Sequence, residues 1–351
     1  MTTTNQIVTS RSLINSLTAP PQHGHALSQV IAQALPDADK NVRIIVGGAD
    51  KLDTPEHNDL IRAGEGLVRR VLVDTARSFE VRFERDGRAD VIDPRTGMPI
   101  GYEQMKRTVV LDRRGAEGSC AFSDLLLGVM REQGARVLNT PEASALAADK
   151  AQTMRVLCAE KLPVPPTVVF VPGQMGFDAL QRALGVPQVL IKPAQATEAE
   201  GVALVGSAKV FESHLVGRAG EVWLAQQPVG ELGTSYRAVV AGKEVIACVK
   251  MANPGRVCSN AAQGGEVTSL ASVPASMQSL AGRAMSALGL TVGAVDFVLD
   301  KGEDGLGLSI LEVNSAMDWA MTARACPGVR IGERVLAALL DGPRGAFRLA
   351  A

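Results

Sequence analysis

"LSILEVNSAMDW", residues 308–319, sets an apolar strand against an acid and an amide two positions apart. Leu308, Ile310, Leu311 and Val313 read as a core strand, and Glu312 and Asn314 interrupt its end. Strand side chains repeat with period two, so those two groups share a face, about 6–7 Å apart. Paired oxygen donors at a strand end suit either a hard cation or a solvated strand edge, and the choice rests on the rest of the chain.

Upstream, "GAVDFVLD" (293–300) carries Asp296 inside another apolar strand, where an acid without a partner is costly. Beside Glu312 and Asn314, Asp296 completes a cluster whose like charges need a cation. Mg²⁺ suits it, taking oxygen ligands while retaining waters or phosphates. Two lysines face the opposite problem. Lys192 ends the apolar run "QVLIK" before Pro193, where a lysine either snorkels out or meets an anion. Lys150 opens a helix, a position the macrodipole opposes unless the ammonium faces an anion shared with the helix N-terminus. Cations at one rim and a metal at the other would hold a polyphosphate between them, and phosphoryl transfer needs little more than such positioning.

Composition narrows the class. The 351 residues carry 36 basic and 37 acidic side chains, a net charge of −1, without a long basic run. That argues against a nucleic-acid or membrane-surface protein, and no apolar stretch approaches the ~20 residues of a membrane span. The five cysteines are scattered and odd in number, as in a reduced cytoplasmic protein. Only four histidines occur, at 23, 25, 57 and 214, too few for a zinc site or a histidine triad to build on. The first 36 residues contain one Arg and no acid. They read as a disordered extension leading into a short helix, "HALSQVIAQAL"; a transit peptide is the alternative, poorer in Arg than such peptides usually are.

Strands alternating with helices over 41–140 predict a small α/β domain preceding the chemistry. "VRIIVGG" reads as a buried strand, "FEVRFERDG" as a strand and turn, and the second half of "LIRAGEGLVRRVLVDTAR" (60–77) has helical spacing. After "LPVPP" stops a helix, hairpin-like strands dominate, including one turned at Gly242-Lys243. "VGGADK" (46–51) fits no phosphate-loop spacing and reads as a turn; GxxxxGK[ST], GxGxxG after a strand, and GxSxG are all absent.

The segments "DKAQTMRVLCAEKLPVPPT", "VLIKPAQATEAEGV", "LAQQPVGELGTSYRAVVAGKEVIACVKM", "SNAAQGG", "GAVDFVLD" and "LEVNSAMDW" resemble, in order, the RimK-like branch of the ATP-grasp ligases. The likeness spans roughly 107–340, with a looser fit over 41–106. It implies an α/β ATP-grasp fold: an extension over 1–40, an α/β domain over 41–140, and two subdomains, 141–225 and 226–342, clasping ATP. It also implies a ligase that joins a carboxylate to an amine through an acyl phosphate, forming ADP and using Mg²⁺ or Mn²⁺. Lys150 and Lys192 would contact the ATP phosphates, and Asp296, Glu312 and Asn314 would bind the metal. Gln226, Gln227 and Val229 would line the adenine hinge, with Glu231 a ribose contact. Arg237 matches the arginine of the family's DxR, and Asn260 an asparagine in its RSN…GG stretch.

Several positions depart from the family pattern. "AQATEAEG" has one glycine and two acids where a Gly/Ser-rich loop is usual, so Glu198 and Glu200 must face solvent or a second substrate's amine. Ser235 replaces the acid of DxR, and Cys258 stands where the family has an arginine to steady the acyl phosphate and the oxyanion formed by amine attack. Lys250 or Arg256 would have to take that role. The tail "NSAMDW" is similar to that of ligases acting on amino-group carrier proteins, and ligases adding glutamate to methanopterin-type coenzymes share the branch. The implied substrates are a small-molecule, peptide or carrier-protein carboxylate and a glutamate-like amine, in an enzyme that could be a homo-oligomer. The other reading is a degenerate member that binds nucleotide without catalysis.

Overall fold

The computed structural model describes residues 37–115, 120–197, 199–259, 264–302 and 305–341. The expected extension up to residue 36 and its short helix, with His23 and His25, lie outside the described residues.

The chain opens with β1 (Asp37–Val46), α1 (Pro55–Gly64), β2 (Val68–Thr75), a hairpin of β3 (Glu80–Phe83) and β4 (Ala89–Ile92), α2 (Tyr102–Lys106), β5 (Thr108–Arg113), α3 (Ala121–Glu132) and β6 (Arg136–Leu138). Four of these strands form a parallel sheet in the order β2-β1-β5-β6. Both faces of its centre are buried, which explains the unbroken apolar run "VRIIV". Ile45 and Val110 pack with Leu126 and Met130 of α3, while Val42, Ile44 and Leu111 face the C-terminal part of the chain. The helical spacing over 60–77 resolves differently from expectation. α1 ends at Gly64, Gly66 takes a positive φ of 76°, and the second half of the segment is β2. Val68, Val71 and Val73 are β-branched and gain a parallel partner in β1, so pairing overrides a periodicity that five apolar residues cannot settle.

Two capped helices follow. Thr140 caps α4 (Pro141–Ala148) ahead of a proline, and Asp149 caps α5 (Lys150–Ala159) by accepting from Ala151 and Gln152 N–H at 2.9 and 3.0 Å. A four-stranded antiparallel sheet, β7-β10-β8-β9, is then built from β7 (Thr167–Phe170), β8 (Val189–Pro193), β9 (Ala203–Val205) and β10 (Trp223–Gln226). Its helices are α6 (Phe177–Leu184) and α7 (Ala208–Leu215), with Phe177, Phe211 and Trp223 in one core.

The last sheet runs β13-β12-β11-β14-β15 and is antiparallel throughout. It contains β11 (Thr234–Ala241), β12 (Glu244–Ala252), β13 (Glu266–Ser269), β14 (Val292–Gly302) and β15 (Gly305–Asn314). One face packs on α8 (Ala275–Leu288) together with α4 and α5; the other meets the parallel sheet, α9 (Ala320–Ala325) and α10 (Ile331–Asp341). Among the described residues no helix is long and apolar enough to cross a membrane.

In the first turn of α1, His57 is buried at 2% exposure. Burial, then the nearby Arg113 charge, lower its pKa to about 4, against smaller raising contributions from Glu56 and the Lys51–Leu52 backbone. The folded chain therefore holds His57 neutral while the unfolded chain protonates near 6.5, so the unfolded state binds more protons as pH falls. Stability from this group is complete above pH 6.5 and lost towards pH 4, by about 3 kcal/mol. Urea melts at pH 7 and pH 4 measure it. His57→Gln should show a smaller acid loss than the parent by that amount, and an identical loss would assign the acid sensitivity elsewhere.

Candidate active site

Three neighbouring strands bring the site together. Arg237 on β11 lies opposite Asp296 on β14, and Asp296 lies opposite Glu312 on β15. The register then shifts, because Phe297 pairs with Ile310 and leaves Leu311 as an extra residue in β15. A bulge of this kind bends the strand and re-aims its side chains. Here it leaves the Leu311 carbonyl to accept from Lys192 Nζ at 3.4 Å, one residue from Glu312.

The row is tightly bonded. Arg237 donates to both carboxylate oxygens of buried Asp296, Nε to Oδ1 at 2.8 Å and Nη2 to Oδ2 at 2.7 Å. Burial opposes the guanidinium charge and Asp296 more than offsets it, so Arg237 is held above its ordinary pKa. Asn314 Nδ2 reaches Glu312 Oε1 at 3.2 Å and Asp296 Oδ2 at 3.4 Å, so all three proposed ligands converge on one spot.

The cations come from β8 and from the start of α5. Lys192 is buried at 6% exposure, and its pKa falls to about 8: burial lowers it most, Glu312 pulls it up and Lys150 pushes it down. Burial alone would raise Glu312, but the Lys150 and Lys192 charges outweigh it and hold the carboxyl below its usual range. Lys150 is engaged by the segment expected to cover the phosphates, donating Nζ to Ala196 O at 2.6 Å and its backbone N–H to Ala194 O at 2.8 Å. At the far end of that segment Gly201 O meets His214 Nε2 at 2.9 Å. Glu200 is exposed, and Glu198 lies outside the described residues.

Two carboxylates and an amide converging beside two lysines have the donor chemistry of a Mg²⁺ or Mn²⁺ site next to an anion. A carboxylate offers about four lone-pair positions, so Asp296 can hold Arg237 and still present an oxygen to a cation. Among the described residues no group of three or more His, Cys, Asp or Glu competes as a metal cluster.

The expected hinge leads out of β10. Gln226 is buried, donates Nε2 to Thr167 Oγ1 at 2.8 Å, and leaves its buried Oε1 without a partner. Gln227 donates its N–H to Pro166 O at 3.0 Å. Val229 is half-buried and Glu231 exposed, the latter accepting from Thr234 N–H through its backbone oxygen. Between them Gly230 has φ 69°, and a Cβ there would stand 2.5 Å from the Leu299 carbonyl. Gly230→Ala therefore combines a left-handed strain of about 1–2 kcal/mol with a backbone clash. Calorimetry should show a lowered melting point together with weaker nucleotide binding; unchanged values in both would mean the hinge tolerates a shift of β14.

The remaining candidates separate. Lys250 pairs with Tyr236 on β11, one position out of phase with Arg237, so strand alternation puts it on the face packed against α8. Arg256 is exposed in the turn that follows β12, with its backbone N–H on Asn253 O. Asn260 lies outside the described residues. Cys258 senses both Glu312 and Lys192 and stands near the row, while its neighbour Ser259 shares a 2.5 Å hydroxyl contact with Ser235.

Two positions escape a reading by motif. Asn139, fully buried, ends β6 and makes four backbone bonds: it accepts from Thr291 and Val292 N–H (2.7 and 3.1 Å) and donates to Val292 and Ser315 oxygens (2.7 and 3.2 Å). Arg113, at the end of β5, donates to Met317 O at 2.9 Å and Asp318 at 3.2 Å and lies 4.6 Å over the Trp319 ring. Both tie the parallel sheet to the residues directly after Asn314. The only sequence signal is a polar group closing a short apolar strand.

Residues 147–339 match the family model described as the RimK-like ATP-grasp domain. A probable alpha-L-glutamate ligase of Stenotrophomonas maltophilia strain K279a is 28% identical over 280 residues, covering 76% of this chain and 93% of that protein. The crystal structure of a RimK domain ATP-grasp protein from Sphaerobacter thermophilus superposes with TM-score 0.60 at 22% identity, covering 86% of this chain and 99% of that one. The ATP-grasp ligase PsnB, solved with a precursor variant, Mg and ADP, gives 0.61 at 17% identity over 87% and 99%.

Proposed function

From its membership of the RimK-like ATP-grasp family, to which this chain belongs, we propose that the protein joins a glutamate or similar amino acid to a carboxylate through an acyl phosphate, releasing ADP. The acceptor is a small molecule, a peptide or a carrier protein. The names of the relatives support glutamate, and the observation that carries the reaction is the row Arg237–Asp296–Glu312 with Asn314, facing Lys192 and Lys150.

In this reading residues 141–225 and 226–342 clasp ATP, and 41–140 is the α/β domain that precedes them. The backbone of Gln226, Gln227 and Val229 holds adenine, and Glu231 reaches the ribose. Lys150 leaves Ala196 O for phosphate, and Lys192 neutralises charge that develops as the acceptor carboxylate attacks the γ-phosphorus. Asp296, Glu312 and Asn314 would hold Mg²⁺ or Mn²⁺, which screens phosphate oxygens from the acids. Segment 194–201 excludes water from the acyl phosphate. The amine then attacks and phosphate leaves. Arg237, already beside Asp296, is better placed to steady the oxyanion than exposed Arg256 or Lys250, which lies on the sheet face towards α8, with Asn260 the remaining candidate.

Phosphate release from Mg-ATP with L-glutamate and fractionated acceptors tests this, with Glu312→Ala as control. Release confined to one fraction and lost in the variant is the expected result. A second reading, nucleotide binding without turnover, draws on Cys258 standing near Glu312 and Lys192 where the family has arginine. Tight ATP binding with no release in any fraction would favour it.

A further inference from the structure

On the far side of the Asn314–Trp319 segment lies a cavity of about 590 Å³ between α1, the start of α9 and the start of α10. That volume falls within the ~300–1,000 Å³ of small-ligand sites. Its walls carry three arginines, Arg62, Arg324 and Arg330, against two acids, Asp59 and Glu333.

The acids are committed to the fold and the arginines largely are not. Asp59 Oδ2 accepts from the Trp319 indole N–H at 3.3 Å and from Gly332 N–H at 2.9 Å, joining α1 to α9 and α10. Glu333 pairs with Arg330 at 2.9 Å. Among the described residues Arg62 and Arg324 have no carboxylate partner, Arg324 touching only the Met321 thioether. Two arginines without carboxylate partners thus line an open cleft whose remaining walls mix Asp59, Arg330 and Glu333 with alanine, proline, valine and isoleucine. Guanidinium groups match carboxylate and phosphate oxygens with paired hydrogen bonds. Alanine, proline and valine walls between them suit the methylene stems of an acidic side chain better than a bare phosphate.

We propose that this cleft binds a carboxylate-rich chain, a short glutamyl segment of the acceptor or product, with Arg62 and Arg324 as its anion contacts. The inference rests on the ligase reading for the identity of that chain. The site also has a route to the catalytic row. Trp319 is stacked under Arg113, whose guanidinium holds Met317 and Asp318, the residues that follow Asn314 towards the cleft. An occupied cleft would therefore fix the segment that carries the last proposed metal ligand while keeping a growing acidic chain on the enzyme.

The two tryptophans, Trp223 and Trp319, are equally buried at 1% exposure, so emission does not separate them and calorimetry is the readout. Tetraglutamate titrated by calorimetry into the full-length protein without nucleotide should bind, and raising the salt should weaken the binding. The doubly substituted Arg62→Ala, Arg324→Ala protein should bind at least tenfold more weakly at an unchanged melting point. No binding, or equal binding by the double variant, overturns the site. Tripolyphosphate binding as tightly and displacing tetraglutamate overturns the carboxylate assignment. Phosphate release is measured separately, so loss of the cleft and loss of the ligase reading are told apart.

Discussion

Glu312→Ala should lower ATP-dependent phosphate release by about 10²–10³-fold, the usual cost of removing one preorganised charged group from a reacting centre. Glu312 is the point where both sheets meet electrostatically. It faces Asp296 across β14, accepts from Asn314 at 3.2 Å, and is kept ionised by Lys150 and Lys192. Removing it takes away a proposed metal ligand and strips Lys192 of the charge that offsets its burial. Glu312→Gln keeps the shape and removes only the charge, so it should lose nearly as much. Both variants should still fold, because Asp296 keeps its two bonds to Arg237. Steady-state phosphate release with calorimetric nucleotide binding is the measurement. Retained turnover in Glu312→Gln would refute a metal-ligand role, since an amide cannot replace the carboxylate charge.

Asn139→Ala should destabilise the protein by about 3–5 kcal/mol, although no motif points to the residue. The substitution takes their partner from the buried Val292 N–H and carbonyl and from the half-buried Thr291 N–H and Ser315 carbonyl. Each such group costs about 1–3 kcal/mol when water cannot reach it. In a unit of this size the melting temperature should fall by roughly 10 °C. Ser315 follows Asn314, so loosening it should also weaken Mg²⁺ affinity, seen as a raised half-saturating Mg²⁺ concentration in the fraction that remains folded. A shift below 2 °C would show that water or a neighbouring side chain replaces the amide.

How far the site was legible depended on how local its signals were. "LEVN" and "GAVDFVLD" each carry polar groups that their own strand cannot satisfy, and period two alone assigns Glu312 and Asn314 to one face. Asp149 as the cap of α5, and the stop at "LPVPP", follow from chemistry within four residues. The same local reading failed over 60–77, where the apolar spacing fitted a helix and the parallel pairing with β1 made a strand. It also could not separate Lys250 from Arg237 as oxyanion partners. That depends on the register of β11 against β12, a contact with a different part of the chain.

Element types over most of the chain, the polar residues that need partners, and the ordered motifs shared with one ligase family are legible from residue order alone, because each is written within a strand or a turn. Which of those residues meet is set by the folded chain. The Arg237–Asp296–Glu312 row needs three strands in one register, the bulge at Leu311 turns a carbonyl to Lys192, and Asn139 binds strands more than 150 positions away. The arginine cleft belongs to the same class, since Arg62 and Arg324 share a wall only after α1 has packed on α10. Contacts between distant segments cost chain entropy and are settled by the packing of the whole core, so no short window records them.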